Sequence, residues 1–488
     1  MEDERGTASP EDAGYQPPPP PAWSTPADAP APRKRGGGKM ALTVGLTVVV
    51  VAGVAAGTIA ATRGDAPAAA APAATAKPAY DLREGAVFVA SNDGNGNKVV
   101  AFDRKANGRL KEVGRYDTGG KGSGSFEDSS KSLVLGTVNA ESSPTQLVDK
   151  AEYLYSANAG DDTITVFKVL ADRLQVVARV PSGGQKPVSL TVANGLLYAL
   201  NSGEEEDRLI IGPESLGPAA FVENCTTGGL PSVTGFRIGA NGGLAQIPGS
   251  TRILGGGRDS GCSQAQLTPD GTTLVVSERR AGKQTADGTF KGAYSVYPVL
   301  QDGTLGPMSV ATPTGNGPFG FTFLKDGTML SSEQNGPAPY AGQVSSYTVN
   351  PDGSVTDNGP AVNTGGSDTC WVVADESKRL AFASSVMTGG SIASFRIGKD
   401  GRLTRLHIAA SAVDGASIDK DDSPDGLTDL SLSRDGEYLY QLNSIFGSVL
   451  VYQVNPNGTL ILLEQHQVFR LQLPFQGGQL SPMGIASI

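Results

Sequence analysis

Cysteine and histidine are scarce in this chain of 488 residues, which contains three cysteines and two histidines. Three cysteines exclude a small disulfide-dense scaffold, and two histidines argue against a histidine-based metal site. An excess of basic charge is also missing, because the net charge is −10 and no basic stretch is interleaved with aromatic residues. That charge argues against nucleic-acid binding. No glycine-rich phosphate loop and no G-x-S-x-G elbow occurs, so we expect neither a metal nor a cofactor.

Glycine is abundant, with 65 residues, and one short phrase occurs seven times between Tyr80 and Ile488. Each copy has a β-branched or aromatic residue followed three positions later by an aromatic residue, as in VTGFRI at Val233–Ile238. The seven aromatic residues are Phe102, Phe167, Phe236, Tyr297, Tyr347, Phe395 and Tyr452. Six of them have a glycine six residues later, namely Gly108, Gly242, Gly303, Gly353, Gly401 and Gly458. The alternation predicts a β-strand, and the glycine provides the positive φ of a tight hairpin turn.

The copies lie about 58 residues apart, a period that accommodates about four strands per unit. Strand–turn–strand phrases such as AQLTPDGTTLVVSE at Ala265–Glu278 predict the first two strands of several units. We therefore expect an all-β fold, a seven-bladed β-propeller of four-stranded antiparallel blades over residues 80–488. The first blade lacks an innermost strand before Val87. The segment Ser481–Ile488 has a strand pattern without a blade of its own, so we expect it to pair with Val87–Asn92 and close the ring.

The N-terminal region contains three different segments. Residues 1–39 are rich in proline and predict a disordered cytoplasmic tail. Residues 40–62 carry no charge and are long enough to cross a bilayer, and four basic residues at positions 33–39 precede them. This arrangement predicts a single-pass transmembrane signal anchor with the propeller outside the cytoplasm. A cleaved signal peptide with a long leader is the alternative. Residues 63–79 are an Ala/Pro linker.

The rim of the central channel is the natural place for a small ligand. In each blade the start of the first strand and the end of the second strand face this rim. Glu278, Arg279 and Arg280 form a charged cluster there, with Glu278 as the candidate catalytic acid or base and the two guanidinium groups as anion-binding groups. The alternative is a solvated loop with a local ion pair. The other candidate ligand-binding residues at the rim are Lys186, Glu333 and Asp368.

The three cysteines lie in different parts of the predicted propeller. Export to an oxidising compartment permits a disulfide bond. Our hypothesis is that Cys225, in a long insertion of the third blade, pairs with Cys262, which begins the inner strand of the fourth. The sequence does not provide the Cα separation that such a bond requires. Cys370 begins the apolar inner strand CWVV, and we expect it to be buried and unreactive.

The strand–PDG–strand phrase, the aromatic hairpins and the Gly-x-Leu turns resemble the seven-bladed lactonase family, which includes 6-phosphogluconolactonase and the carboxymuconate cyclases. The resemblance covers about residues 86–488. In the family pattern, a Gly-Pro-Arg-His phrase opens one inner strand and a glutamate closes the next strand. Glu278 matches the glutamate, whereas Cys262 stands at the position of the arginine and Ser263 at that of the histidine. The resemblance therefore implies a lactonase fold with a degenerate site.

Two functions remain open from the sequence. The first is an exported, membrane-anchored lactone hydrolase that uses Glu278. The second is a non-catalytic propeller that binds a ligand, a glycan or a protein at the cell surface. In either case we expect an anionic or sugar-like small molecule in the central channel, a single helix in the membrane and a monomer. Fold alone does not distinguish the two functions.

Overall fold

We describe the protein from a computed structural model. The structure describes residues 80–137, 152–203, 221–222, 229–258, 260–282, 289–335, 339–387, 391–408, 426–444, 446–469 and 482–488. The chain divides into two units, Met1–Ala74 and Thr75–Ile488, and all of the described residues belong to the second. These residues form β-strands and no helix.

Seven antiparallel blades follow one another along the described chain. The strands as far as the third blade are β1 (Ala86–Ala90), β2 (Lys98–Arg104), β3 (Leu110–Asp117), β4 (Phe126–Glu127), β5 (Leu133–Gly136), β6 (Tyr153–Asn158), β7 (Thr163–Val169), β8 (Leu174–Pro181), β9 (Pro187–Ala193), β10 (Leu196–Asn201), β11 (Phe221–Val222), β12 (Ser232–Ile238), β13 (Leu244–Gln246) and β14 (Arg252–Ile253).

The strands of the last four blades and the C-terminal strand are β15 (Cys262–Leu267), β16 (Thr273–Glu278), β17 (Ala293–Pro298), β18 (Ser309–Ala311), β19 (Pro318–Phe323), β20 (Thr328–Glu333), β21 (Gln343–Val349), β22 (Val355–Asp357), β23 (Val362–Asn363), β24 (Ser367–Asp375), β25 (Leu380–Met387), β26 (Ser391–Ile397), β27 (Leu403–His407), β28 (Leu427–Leu432), β29 (Tyr438–Asn443), β30 (Ser448–Val454), β31 (Leu460–Gln467) and β32 (Ile485–Ser487).

Each blade has the strand order that the repeat predicts, with the inner strand followed outward by its neighbours in the chain. Blade 2 is β5-β6-β7-β8, blade 4 is β15-β16-β17-β18, and blades 6 and 7 are β24-β25-β26-β27 and β28-β29-β30-β31. The outermost strand is split in two other blades, into β13 and β14 in blade 3 and into β22 and β23 in blade 5. The predicted all-β, seven-bladed fold is confirmed.

The repeated aromatic phrase is the third strand of every blade, and its aromatic residues are buried. The hairpin glycines that follow have the positive φ that the turn requires, for example +79° at Gly108 and +86° at Gly458. An L residue with a side chain adopts this conformation only with strain, which accounts for the recurrence of glycine. One of these rings, that of Tyr347 in blade 5, makes an edge contact with the Tyr294 ring of blade 4 at 5.8 Å between ring centroids.

The C-terminal strand closes the ring, as the sequence predicts. β32 is the inner strand of blade 1 and pairs antiparallel with β1, so that Val87 lies opposite Ser487 and Val89 opposite Ile485. The amide of Ile488 donates to the carbonyl of Ala86 at 2.9 Å. Blade 1 is thus built from both ends of the propeller, which leaves no unpaired edge strand at the junction.

Polar side chains bind the inner strand of the neighbouring blade at several junctions, which satisfies backbone groups that face away from their own sheet. The amide of Ala265 in blade 4 donates to Oγ of Ser189 in blade 3 at 3.2 Å. The Gln264 side chain in turn spans to blade 5, where it donates to the Phe321 carbonyl at 2.6 Å and accepts from the Phe321 amide at 3.0 Å. Buried backbone groups without a partner are costly, so these bonds hold the ring together around the channel.

Candidate functional site

Glu278 ends β16 at the channel rim but has no exposed surface. Its carboxylate turns into its own blade. Oε1 accepts from the Ser295 hydroxyl on β17 at 2.5 Å, and Oε2 accepts from the Gly256 amide at 2.9 Å. Gly256 lies in the connector that leads into β15. A Cβ atom there would lie 2.4 Å from Oε2, so the close approach requires glycine. The carboxylate therefore joins the third strand of the blade to the connector in front of its first strand.

Glu333 makes the same contacts in the next blade. It ends β20, is fully buried and accepts from the Ser345 hydroxyl at 2.8 Å and from the Gly315 amide at 3.2 Å. The Tyr347 hydroxyl donates to Oε1 at 2.6 Å. The sequence predicts Glu333 as a ligand-binding residue, whereas the structure places it as a structural counterpart of Glu278.

A third blade has an amide at the same position. Asn158 ends β6, and its Nδ2 donates to Oγ1 of Thr165 on β7 at 2.9 Å. The position thus carries a buried polar side chain that binds the neighbouring strand, whether the residue is a carboxylate or an amide. This recurrence is the mark of a structural contact repeated from blade to blade.

Burial also changes the acidity of both glutamates. Desolvation raises the pKa of Glu278 above its ordinary value, and the hydrogen bonds from Ser295 and Gly256 oppose part of that rise. Desolvation likewise raises the pKa of Glu333, against hydrogen bonds from Tyr347, Ser345 and Gly315. Loss of water disfavours the charged carboxylate, whereas hydrogen-bond donors favour it.

The connector between blades 1 and 2 enters the central channel. We call Phe126–Lys131, which includes β4, the channel segment. The indole Nε1 of Trp371 in blade 6 donates to the Ser129 carbonyl at 3.0 Å, and the Ser130 amide donates to the Ser263 carbonyl in blade 4 at 3.0 Å. Because blades 4 and 6 lie across the ring from the junction of blades 1 and 2, the segment crosses the channel to reach them.

Two further contacts anchor the ends of the channel segment. At its C-terminal end, the Lys131 carbonyl accepts from the Leu190 amide of blade 3 at 2.9 Å. At its N-terminal end, Phe126 packs in a cluster that includes Phe319, Trp371 and Leu427 of blades 5, 6 and 7. β4 also pairs in parallel with β11 of the blade 3 insertion. The segment therefore contacts blades 3 to 7.

The acidic residues of the channel segment pair with two predicted ligand-binding residues. Asp128 forms an ion pair with Nη1 of Arg279, whose side chain is 5% exposed. Glu127 lies 3.8 Å from Nζ of Lys186, and both side chains are buried. The Arg279 guanidinium also lies over the Phe319 ring at 5.9 Å from its centroid. The structure thus brings Lys186 and Arg279 to one place, beside carboxylates of the chain itself.

The other two predicted ligand-binding residues differ in their surroundings. Arg280 lies over the Phe290 ring at 5.0 Å from its centroid. Asp368 has a φ of +56° and accepts from the Cys370 thiol at 3.5 Å. Burial raises the pKa of Cys370 well above its usual value, and the carboxylates of Asp368 and Asp128 add to the effect. A buried thiol with a raised pKa is a poor nucleophile.

Two of the three cysteines lie among the described residues. Cys262 is disulfide-bonded, and Cys370 is free and buried. Cys225, the predicted partner of Cys262, lies outside the described residues, so their pairing stays a prediction. In a disulfide, Cys262 provides no thiolate.

Lys131 and Asp429 are a second buried pair, which the sequence reasoning missed. Desolvation lowers the pKa of the Lys131 ammonium to about 8, against the attraction of Asp429. Desolvation also raises the pKa of Asp429 to about 6, against the attraction of Lys131 and hydrogen bonds from the amides of Leu430, Ile485 and Lys131. Asp429 therefore links blade 7, the closing strand β32 and the channel segment.

A small cavity of about 10 Å³ remains beside the channel segment. Its lining includes Asn92, Glu127, Ser129, Pro187 and Met483. This volume corresponds to the space of about one water molecule. A sugar-sized ligand does not fit in this cavity.

Two further observations apply to the described part of the chain. No helix there is long and apolar enough to cross a membrane. The predicted anchor at residues 40–62, together with the tail at 1–39 and the linker at 63–79, lies outside the described residues. No group of three or more His, Cys, Asp or Glu side chains within the described ranges is placed to hold a metal ion.

The channel segment is the part of the site that sequence reasoning missed. It lies in a stretch rich in glycine and serine, from Gly119 to Ser132, which resembles an ordinary surface loop. One signal was present: the adjacent acids Glu127 and Asp128 stand beside an aromatic residue in an otherwise small and polar connector. Nothing in the local pattern indicates that their partners are more than 50 residues away.

Comparison with known proteins supports the fold. The family model described as "Lactonase, 7-bladed beta-propeller" matches residues 95–208. A proposed 6-phosphogluconolactonase from Bacteroides fragilis is similar at a TM-score of 0.54 and 14% identity, over 85% of this chain and 99% of that one. The periplasmic gluconolactonase of Pseudomonas aeruginosa is similar at 0.51 and 14%, over 83% and 99%.

A different kind of protein is equally similar in structure. A hypothetical selenium-binding protein from Sulfolobus tokodaii has a TM-score of 0.52 at 10% identity, over 84% of this chain and 94% of that one. No curated protein matches the chain. At identities this low the structural likeness establishes the fold and no activity. Together with the match over residues 95–208, it confirms the resemblance of this propeller to the seven-bladed lactonases, 6-phosphogluconolactonase among them.

Proposed function

We propose that this protein is an exported lactonase-type propeller that binds a small anionic ligand at the channel rim and hydrolyses lactones slowly or not at all. The observation that carries the proposal is the enclosure of Glu278. The only carboxylate that matches the family pattern has no exposed surface and is bonded to its own blade. Its counterpart Glu333 makes the same contacts in a neighbouring blade.

Lactone hydrolysis needs a group that polarises the carbonyl and a base that delivers water to it. The Glu278 carboxylate can contact neither a lactone carbonyl nor an attacking water molecule unless Ser295 and Gly256 rearrange. Cys262 and Ser263 stand where the resemblance implies an arginine and a histidine, and neither replaces them. Arg279 has the required charge, but it is paired with Asp128. Lys186 and Arg279 keep positive charge that suits an anionic ligand, and none of the described residues at the positions of the family pattern is an accessible acid or base.

Lactone hydrolysis at Glu278 is the second candidate function. Its support is the raised pKa of Glu278. The carboxyl of Glu278 stays protonated, and thus able to donate a proton, to a higher pH than that of an exposed glutamate. The match to the lactonase family model and the likeness to a gluconolactonase agree with this candidate.

The two candidates differ in the roles of Glu278 and Glu333, which form a matched pair. We would measure hydrolysis of gluconolactone and related sugar-acid lactones by the full chain, by Glu278→Gln and by Glu333→Gln. The proposal expects turnover below about 1 s⁻¹, the lower end of ordinary enzyme rates, and equal behaviour of the two variants. Rapid hydrolysis that Glu278→Gln abolishes and Glu333→Gln leaves intact would refute it and favour the hydrolase.

The cellular location is part of the proposal. The uncharged stretch at residues 40–62 and the basic residues before it support a single membrane anchor with the propeller outside and the N-terminus in the cytoplasm. Protease added to intact spheroplasts should remove the propeller and spare residues 1–39. A propeller that is protected until the membrane is permeabilised would contradict this orientation. We also propose a monomer, which sedimentation of the full chain in detergent would test.

A further inference from the structure

The channel segment presents two adjacent carboxylates to two cations of the propeller. Glu127 lies 3.8 Å from Lys186, at the start of β9 in blade 3. Asp128 forms its ion pair with Arg279, directly after β16 in blade 4. The cations thus belong to the blades, whereas both anions belong to a connector that enters the channel from the rim.

These groups are buried, which makes their pairing significant. The side chains of Lys186, Glu127 and Arg279 are at most 8% exposed. Removal of a charge from water is costly, and a buried pair often contributes less to stability than well-packed apolar residues do. Stability alone is therefore a weak reason for four charges at this place. Binding of a charged ligand is a better explanation for these charges, because buried cations beside a channel suit an anionic ligand.

Two cations from different blades each hold one carboxylate of the channel segment. A ligand that replaces both carboxylates therefore carries two anionic groups. The backbone after them is held by the Trp371 indole and the Ser263 carbonyl, so the pair has a defined position. The cavity of about 10 Å³ beside Glu127 is too small for such a ligand, so a ligand that binds these two cations displaces the two carboxylates.

We propose that the channel segment is an internal ligand mimic: Glu127 and Asp128 occupy the subsites in which Lys186 and Arg279 bind a small dianion, and ligand entry requires the segment to leave the channel. The class of ligand is a compact molecule with two anionic groups, such as a sugar diacid. This inference rests on the proposed ligand-binding function and specifies the charge of the ligand and the element that competes with it.

The test compares a sugar diacid with a sugar monoacid of the same carbon number. Binding of glucarate and gluconate would be measured by calorimetry for the wild type and for the double variant Glu127→Gln/Asp128→Asn. We expect weak or undetectable binding by the wild type. The double variant should bind glucarate with a Kd of about 1 mM or lower, and about tenfold more tightly than gluconate. Equal glucarate affinity in the two proteins, or equal affinity of the variant for the two acids, would overturn the proposal.

A matched control removes the same charge elsewhere. Asp117 and Glu112 lie on the outer strand of blade 1, where they pair with Lys98 and Arg115 at the surface. The variant Glu112→Gln/Asp117→Asn changes the net charge equally and leaves the channel intact. It should bind glucarate as weakly as the wild type. If it gains the same affinity as the channel variant, the effect is one of net charge and the internal mimic is refuted.

The double variant removes one carboxylate from the surroundings of each of two buried cations, and we expect it to be less stable than the wild type. Glucarate should then raise its Tm more than gluconate does, because a ligand that binds only the folded state stabilises it. If the double variant does not fold, Asp128→Asn alone should show the same preference, and its absence would overturn the proposal. None of these outcomes depends on lactone turnover, so failure here is distinct from failure of the proposed function.

Discussion

Removal of the C-terminal strand is the sharpest test of how this propeller is closed. Deletion of residues 482–488 removes β32 and leaves β1 as an unpaired inner edge. The Ala90 amide loses its acceptor, the Gly484 carbonyl at 3.1 Å, and the Ala86 carbonyl loses its donor, the Ile488 amide at 2.9 Å. The contact between the hydroxyls of Ser431 and Ser487, at 2.8 Å, is lost as well. Blade 1 then no longer connects to blade 7 through its inner strand.

The energetic cost can be estimated from burial. Met483, Ile485 and Ile488 are at most 4% exposed. Each such side chain contributes about 1.5–3 kcal/mol through burial, so the deletion removes roughly 5–9 kcal/mol before any hydrogen bond is counted. The total free energy of unfolding of a protein is typically about 5–15 kcal/mol. We therefore expect the shortened protein to unfold or to aggregate through its open sheet edge at ordinary temperature.

The assay is thermal unfolding followed by circular dichroism, with size-exclusion chromatography to detect aggregates. A control protein that lacks residues 1–79 but keeps 482–488 should retain the Tm of the propeller transition. A smaller change, Ile488→Ala, should lower the free energy of unfolding by about 2–5 kcal/mol. An unchanged Tm in the shortened protein would show that β32 contributes little to closure and would refute this reasoning.

Three further predictions concern the interior. Gln264→Ala should lower the free energy of unfolding by about 1–3 kcal/mol for each Phe321 backbone group that it leaves without a partner, as chemical denaturation would measure. Asp429→Asn should lower the pKa of Lys131 below about 8, because the attraction that favours the charged ammonium is lost. Amine labelling across a pH series measures this pKa, and an unchanged value would contradict the prediction. The protein denatured without reductant should show one reactive thiol, that of Cys370, and a count of three would contradict the disulfide.

Much of the fold could be predicted because its determinants are local. The aromatic residue and the glycine six positions later lie within one hairpin, so alternation and turn chemistry are visible in a short window of sequence. The pairing of the C-terminal strand could be predicted from the same pattern. Each blade has four strands, and the sequence before Val87 lacks the inner strand of blade 1. The register of β32 with β1 agrees with that expectation.

The candidate site was harder to predict because it depends on distant contacts and on burial. The sequence placed Glu278 at the end of a second strand, and Glu278 ends β16. Whether its carboxylate faces the channel or its own blade depends on Ser295 and Gly256, which approach it only in the folded blade. The identical surroundings of Glu333 were likewise invisible in the sequence.

By itself, the sequence determined the strand pattern, the number of blades, the closing strand and the group of charged residues at the rim. These features follow from the period of side-chain alternation and from the few residues that tolerate a hairpin turn. Only the tertiary structure decided that the connector after blade 1 enters the channel and that its Glu127 and Asp128 pair with Lys186 and Arg279. The physical reason is that electrostatic and hydrogen-bond partners are selected by proximity in space. Trp371 and Ser129, 242 positions apart in the chain, come within hydrogen-bond distance only when the ring is closed.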